Sequence, residues 1–262
     1  MRYRKLKDFI YSLLGQGELI FSKKEAQRAL GITNAALRNS LKRQVDANKL
    51  NRLMKGYYLI IPPEYQNLGF VPPELFMNDL MEGLGVAYYV GLLSAASFYG
   101  ATHQSVQVFQ VMVKTPLRPI RLNSVKIKFY VNQQLDVIPT NSFKTDRGAL
   151  EVSSPEATCF DLINYRIESG GLNHIATILS ELAEKVRGEE LYKTAALFPL
   201  TSSQRLGYLL EELGYCELSL VLLTYVERRN SYQYIPLVRG AGDGEKNRKW
   251  HIIVNEEVDP DL

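Results

Sequence analysis

In the first 61 positions, apolar residues recur first at helical spacing and then, from about residue 50, in a pattern typical of strands. The first helix is predicted over residues 3 to 15, and Gly15 or Gly17 would end it. Its inward-facing positions would be Leu6, Phe9, Ile10, Leu13 and Leu14. Residues 50 to 61 predict two short strands that turn at Lys55-Gly56. Helix and hairpin together would enclose a small core.

Residues 22 to 43, SKKEAQRALGITNAALRNSLKR, predict two short helices joined by a tight turn. Ser22 and Glu25 have the spacing of a capping box at the start of the first of these helices. Gly31 would end that helix, and Thr33 would cap the second. The buried stripe of the second helix would consist of Leu37, Leu41 and Val45. With the first helix and the hairpin, this pattern predicts a winged helix-turn-helix.

The opposite face of the second helix carries small, amide and cationic residues, which favours contact with DNA. We predict DNA-binding roles there for Ala35, Arg38, Asn39, Lys42 and Arg43, beside the small Ala36. On the hairpin, Arg52 and Lys55 would reach phosphate or the minor groove. The alternative interpretation is a solvated helix face, with a hairpin that only covers the core.

Prolines mark the boundary between two predicted domains. Pro62-Pro63 and Pro72-Pro73 bracket a linker at residues 62–73, which follows a domain at 1–61 and precedes one at 74–262. A short helix is expected from Glu74 to Met81. Gly83 to Thr102 lacks charged residues, but its glycines, serines and tyrosines favour a buried helix from about Tyr89 to Tyr99 over a membrane span.

The remaining pattern predicts strands first and helices afterwards. Clear strands are expected at 106–113 and 125–131, and weaker ones at 135–138, 142–145 and 150–152, in a small, mostly antiparallel sheet. Helices are expected from Pro155 to about Ile167, with Phe160, Ile163 and Ile167 facing inward, and at about 172–186, 188–197, 202–213 and 216–228. Segments 233–238 and 250–254 are strand-like, and the Gly240 to Gly244 loop would turn a hairpin. The predicted fold class is α+β.

Charge is unevenly distributed along the chain. The net charge is +3, yet residues 1 to 61 hold 13 Lys and Arg against 4 Asp and Glu, a surplus of nine. The rest holds 18 against 24, a deficit of six. A basic head on an acidic body is typical of a protein that touches nucleic acid with one end. Cys159 and Cys216 lack metal or disulfide spacing, and the start lacks a cleavage site, so a reducing cytoplasm is expected.

Sequence motifs for catalysis or cofactor binding are missing. His103, His174 and His251 are isolated, and there is no HExxH, GxSxG or Walker motif, so we predict no enzyme, cofactor or metal. The alternative is a metal-dependent nuclease built from dispersed carboxylates. Its candidate ligands would be Asp136, Glu151, Glu156 and Asp161.

Five blocks of sequence resemble the AbiEi family over nearly the whole chain. The most characteristic is YYVGLLSAASFYGA, Tyr88 to Ala101, followed by His103-Gln104 and the strand from Val108. The others are Val152 to Thr158, Gly170 to Asn173, Arg205 to Glu211 and Trp250 to Leu262. Their order and spacing together are fairly specific for the family.

This resemblance implies the antitoxin of a type IV toxin–antitoxin pair in bacterial abortive infection. The implied amino-terminal winged helix-turn-helix represses the pair's own promoter, and the carboxy-terminal domain supplies antitoxin activity and could add DNA contacts. The implied functional partner is a nucleotidyltransferase-like AbiEii toxin, and neutralisation in such systems does not require a stable complex. We expect a monomer or weak oligomer that binds repeated or inverted promoter sites cooperatively. The family has no agreed catalytic residues.

One further alternative is a winged-helix transcription factor whose carboxy-terminal domain senses a small molecule. It would show a ligand-dependent shift in melting temperature, whereas a nuclease would show metal-dependent cleavage of nucleic acid. An adjacent nucleotidyltransferase gene would favour the antitoxin interpretation over both.

Overall fold

The computed structural model describes residues 3–68, 70–102, 107–123, 125–230 and 233–259. His103, Gln104, Val106 and the last three residues, which the sequence interpretation used, lie outside them. The chain forms two units: one contains residues 1–88, 107–133 and 142–150, and the other contains 89–106, 134–141 and 151–262. The first unit therefore takes in more than the predicted domain at 1–61. That residues 62–73 link two independently folding domains stays a prediction.

Eleven α-helices and twelve strands are present in the described residues. The helices are α1 Leu6–Gly15, α2 Lys23–Leu30, α3 Asn34–Asp46, α4 Pro63–Gln66, α5 Met77–Leu84, α6 Leu92–Phe98, α7 Pro155–Asn164, α8 Leu172–Leu182, α9 Gly188–Ala195, α10 Leu200–Glu212 and α11 Cys216–Glu227. The strands are β1 Ile20–Ser22, β2 Leu50–Arg52, β3 Tyr57–Ile60, β4 Tyr88–Val90, β5 Val108–Val113, β6 Ile120–Leu122, β7 Val125–Val131, β8 Thr140–Thr145, β9 Gly148–Ser153, β10 Ile235–Pro236, β11 Glu245–Asn247 and β12 Ile252–Val254. The α+β class is confirmed.

Three helices and a three-stranded sheet enclose the core at the start of the first unit. The strands pair antiparallel in the order β1-β3-β2. Phe21 of β1 is 1% exposed and packs its ring edge-on to Phe9 at 5.5 Å and stacked on Tyr58 at 5.7 Å. The predicted Leu37 and Leu41 are buried in the same cluster, and Val45 is partly buried against it. Strand β1 was not predicted, because three residues are too few for a visible alternation.

The central strands pair in both directions. β6 and β7 run antiparallel, whereas β5 and β7 are parallel, with Val108 opposite Lys126 and Val113 opposite Val131. Strand β4 joins β9 in parallel through Val90 and Val152. Alternation predicted β5 and β7, and more weakly β9, but it carries no information about direction, and β6 was not predicted. The weak strand prediction at 135–138 is wrong, because Leu135–Val137 form a turn of 3₁₀-helix.

Helices α7 to α11 form the bundle that the sequence predicted. Within it, α7 packs on α8, α9 and α10, while α11 packs on α9 and α10. Three details are corrected. The predicted helix from Tyr89 to Tyr99 begins as strand β4 and becomes helical only at Leu92, after Gly91. Helix α7 ends at Asn164, so Ile167 does not face inward and is 78% exposed.

The glycine-rich loop is the third feature that differs from its prediction. Gly240 to Gly244 does not turn a hairpin, because β10 and β12 are parallel and β11 lies on the other side of β12. The loop instead crosses from one side of β12 to the other. A Cβ at Gly244 would come within 2.0 Å of the Val254 carbonyl oxygen, so only glycine fits this crossing.

In the part of the chain that the structure describes, no helix combines the length and the apolar character that crossing a bilayer requires.

Candidate nucleic-acid interface

The ends of α2 and α3 are fixed by side-chain caps, as the sequence predicted. The Ser22 hydroxyl accepts a hydrogen bond from the Glu25 N–H at 3.2 Å, and the Glu25 carboxylate accepts one from the Ser22 N–H at 2.6 Å. Gly31 ends α2 in the left-handed conformation, with φ 64°. Thr33 Oγ1 then accepts from the Ala36 N–H at 3.3 Å and begins α3. Caps of this kind fix where α3 starts and hence which residues lie on its outer face.

The outer face of α3 is exposed over three turns. Its members Ala35, Ala36, Arg38, Asn39, Lys42 and Arg43 are all exposed, whereas Leu37 and Leu41 on the other side are 0% and 1% exposed. The two alanines lie at the start of the helix, so no long side chain would obstruct its approach to a surface. We call the set Ala35, Arg38, Asn39, Lys42 and Arg43 the α3 face.

The β2–β3 hairpin turns at the two predicted residues. Lys55 and Gly56 have φ 49° and 85°, and the Tyr57 N–H donates to the Met54 carbonyl at 3.0 Å. Two successive residues with positive φ define a type I′ turn, the kind that joins twisted strands most tightly. Arg52 and Lys55 are both exposed, so the turn presents two cations to solvent.

Cations on these two surfaces are not neutralised by neighbouring carboxylates. Within the described ranges, Arg38, Lys42, Arg52 and Lys55 take part in no salt bridge or side-chain hydrogen bond. In the same described ranges, Arg43 donates a hydrogen bond to the Ser40 hydroxyl at 3.3 Å. Exposed cations without anionic partners keep their positive field, and such a field attracts phosphates.

Polar side chains of the second unit are placed very differently. Asp161 of α7 is 1% exposed and accepts hydrogen bonds from the Tyr89 hydroxyl at 3.3 and 3.0 Å. Burial raises the pKa of the Asp161 carboxyl to about 8, and the bond from Tyr89 offsets only part of this effect. The protonated carboxyl therefore predominates at neutral pH. It joins β4 to α7 inside the unit.

Further polar side chains are buried at the start of α7. Ser154 caps the helix by accepting from the Ala157 N–H at 3.2 Å, and the Thr158 hydroxyl bonds to Ser153 Oγ at 2.7 Å. Glu156, 3% exposed, accepts from the Arg187 N–H at 3.0 Å, immediately before α9 begins. Each of these groups satisfies backbone or hydroxyl partners, which is a structural role.

The four carboxylates considered for a nuclease site lie in different surroundings. Glu151 accepts from the Thr140 hydroxyl at 2.7 Å, Glu156 and Asp161 have the partners given above, and Asp136 is exposed in the 3₁₀ turn. Among the described residues, no group of three or more His, Cys, Asp or Glu is arranged to hold a metal ion. This observation lends no support to the nuclease alternative.

The Trp250 side chain packs against α10 in the second unit. Its ring is 0% exposed, and its backbone carbonyl accepts from Gln204 Nε2 at 2.9 Å. Its indole N–H donates to the Glu211 carboxylate on α10. The ring lies against Gly207, where an added Cβ would come within 2.2 Å of it. The sequence blocks at Arg205 to Glu211 and at Trp250 are therefore in contact.

Comparison with known proteins finds a matching family model and a similar solved structure. Residues 89–212 match the family model of the AbiEi antitoxin C-terminal domain. No curated protein sequence gives a significant match. The chain is similar in structure to the RV2827C protein from Mycobacterium tuberculosis, known from a crystal structure, with a TM-score of 0.65 and 14% identity over 97% of this chain and 92% of that one. At this identity, the likeness concerns the fold alone.

Proposed function

We propose, from the match of residues 89–212 to the AbiEi antitoxin C-terminal domain family, that the chain is the antitoxin of a type IV toxin–antitoxin pair and represses its own operon. The partner would be an AbiEii-type nucleotidyltransferase toxin encoded beside it, neutralised without a stable complex. Both activities would be exercised in the cytoplasm, where promoter DNA and toxin are found.

Repression would depend on residues 1–61 acting as a winged helix-turn-helix. The observation that carries this proposal is the α3 face: a capped helix with its apolar side buried and its outer side small, polar and cationic. In the major groove, Ala35 would permit close approach, Asn39 could pair with adenine, and Arg38 could pair with guanine. Lys42 and Arg43 would contact phosphates. Arg52 and Lys55, on the hairpin, would grip the adjacent backbone or minor groove.

A single winged helix reaches few base edges, so its affinity would come largely from phosphate contacts. We therefore expect steep salt dependence, and two or more copies on repeated or inverted half-sites would raise affinity through effective concentration. In solution the chain would be a monomer or a weak oligomer.

The test of the DNA interface compares two sets of charge removals in the full chain. Removal of three cations in Arg38→Ala/Lys42→Ala/Arg43→Ala should abolish the gel shift of a promoter fragment at 100 mM salt. At lower salt, the slope of log K against log salt should fall by about 0.9 for each phosphate that is no longer neutralised. The control, Arg4→Ala/Lys5→Ala/Lys7→Ala, removes three cations from residues before and within α1, all of them exposed and outside α3. It should lower affinity only slightly.

Equal losses in the two triple variants would show that any basic surface suffices, and that outcome would overturn the assignment to α3. Circular dichroism should give the same spectrum and melting temperature for both variants and the parent chain. Since all of the substituted side chains are exposed, no large loss of stability is expected.

The antitoxin role has its own test, which uses the same variant. The adjacent toxin is expressed from an unrelated inducible promoter, so that repression cannot protect the cell. If antitoxin activity belongs to the family domain at 89–212, the triple variant of α3 should restore growth as well as the parent chain does. Failure to restore growth despite soluble expression would mean that neutralisation requires the DNA-binding face.

A further inference from the structure

A cavity of about 350 Å³ lies within the helical bundle of the second unit. It is lined by the end of α7 and the turn after it, by α8, by α10 and by the segment after β10. Pockets that hold small molecules begin at about this volume. The proposed DNA and toxin functions make no use of this cavity.

Three arginines line the cavity, and one carboxylate accompanies them. The cations are Arg166, Arg205 and Arg239, and the anion is Glu168. Arg205 is held in place because its Nε donates to the carbonyls of Pro236 and Leu237 at 3.1 and 3.0 Å, and its Nη2 donates to Pro236 at 2.9 Å. In the described part of the chain, its Nη1 makes no hydrogen bond, so the two Nη1 donors and the second Nη2 donor remain for a ligand.

Arg166 and Arg239 act electrostatically on Arg205. The pKa of the Arg205 guanidinium is lowered, first by burial and then by the positive charges of Arg239 and Arg166. Like charges gathered in a partly enclosed space repel, and this repulsion is relieved when an anion enters. The cavity lining therefore has a surplus of positive charge that an anion would offset.

Apolar side chains also line the cavity, and we call them together the apolar wall. They belong to Ile163, Ile167, Leu172, Ile175, Leu209 and Leu237. Ile167, predicted to face the core, is 78% exposed beside the turn that carries Arg166 and Glu168. A site lined by both cations and apolar groups suits a ligand with an anionic head and a flat apolar body.

We propose that this cavity binds a phosphomonoester of mononucleotide size, with the phosphate among Arg166, Arg205 and Arg239 and the base against the apolar wall. Three arginines and Glu168 leave two surplus positive charges, and a phosphomonoester carries about −1.5 to −2 at pH 7. A ligand with a single carboxylate in place of the phosphate would leave one of these charges unmatched. The planar guanidinium also fits phosphate oxygens in a bidentate manner.

Calorimetric titration of the full chain with AMP and UMP tests this proposal, with adenosine and inorganic phosphate as comparisons. Both mononucleotides should bind, adenosine should bind at least tenfold more weakly, and inorganic phosphate should bind more weakly than AMP. Arg166→Gln and Arg239→Gln should each weaken AMP binding about tenfold or more. Arg205 is left unchanged, because it also holds the Pro236 segment. Arg248→Gln, an exposed residue that does not line the cavity, is the matched control and should bind as the parent does.

Absence of mononucleotide binding would overturn the proposal. It would also be overturned if Arg166→Gln and Arg239→Gln bound AMP as tightly as the parent protein does. Phosphate binding as tight as that of AMP would overturn the role of the apolar wall. Since the test requires neither a promoter nor a toxin, its failure leaves the proposed function untouched.

Discussion

The two units place their polar side chains in opposite ways. In the first unit, the residues proposed to contact DNA are exposed, and their cations lack anionic neighbours among the described residues. In the second, polar groups are enclosed: every buried polar or charged side chain that the structure describes lies there, apart from Gln110.

This difference separates surface chemistry from internal structure. An exposed cation contributes little to folding, so removing it should change binding while stability stays nearly constant. A buried, hydrogen-bonded carboxyl or a glycine beneath a tryptophan contributes to packing, so changing it should affect stability first. Three substitutions test whether the units differ in this way.

Gly207→Ala should have the largest effect on stability. The added Cβ would lie within 2.2 Å of the buried Trp250 ring, so the ring or helix α10 must move. Overpacking of this kind costs about 1 to 3 kcal/mol, and we expect about 3 kcal/mol here because the indole is also hydrogen-bonded to Glu211. The better helix propensity of alanine, worth about 1 kcal/mol, offsets part of the loss. Urea unfolding followed by tryptophan fluorescence measures the change.

Gly242→Ala is the matched control, because a Cβ there meets nothing within 4 Å. Its free energy of unfolding should stay within about 0.5 kcal/mol of the parent value. A Gly207→Ala protein of undiminished stability would mean that the end of the second unit is loosely packed. The contrast between an enclosed second unit and an exposed first-unit interface would then be lost.

Local signals in the sequence were sufficient for most of the fold. The capping residues Ser22 and Thr33, the left-handed Gly31, and the turn at Lys55-Gly56 each specify a boundary from within a few residues, and all four are confirmed. The α3 face could be predicted as exposed because helical periodicity alone decides which side of a capped helix is apolar. Its contact with DNA stays a prediction.

Tertiary choices were the ones that the sequence could not specify. The parallel pairing of β5 with β7 and the crossing of the Gly240 to Gly244 loop depend on partners far along the chain. Arg166, Arg205 and Arg239 are widely separated in sequence and share no motif, so nothing indicated a common cavity. Ile167 was expected to face inward because the spacing continues past Asn164, where the helix ends.

Asp161→Asn should have the second largest effect on the free energy of unfolding, and this effect should depend on pH. Because the folded pKa is about 8 and the unfolded value about 3.9, the native state keeps a proton that the unfolded state releases. The contribution of Asp161 to stability is therefore largest below pH 4 and falls by up to about 1.4 kcal/mol per unit as pH rises towards 8. Asparagine cannot ionise and can still accept from the Tyr89 hydroxyl, so this part of the slope should disappear.

Urea unfolding at pH 5.5, 6.25 and 7 measures that slope for the parent, for Asp161→Asn and for Asp243→Asn. Asp243 is exposed in the glycine-rich loop, so its variant should keep the parent slope. Over this range the difference between the two variants should reach about 2 kcal/mol. Identical slopes would show that the Asp161 carboxyl is ionised in the folded protein, contrary to its burial between β4 and α7.

Ser22→Ala should have the smallest effect and is the sharpest comparison between folding and binding in the first unit. The substitution removes the acceptor of the Glu25 N–H and hence half of the capping box, which costs about 1 kcal/mol. Ser142→Ala, an exposed change in the same unit, should cost less than about 0.5 kcal/mol. Because Ser22 does not lie on the α3 face, affinity for a promoter fragment should stay within about twofold of the parent value below the melting temperature. A tenfold loss of affinity in a folded Ser22→Ala protein would place the start of α2 within the DNA interface, and the division between stabilising caps and contacting cations would have to be redrawn.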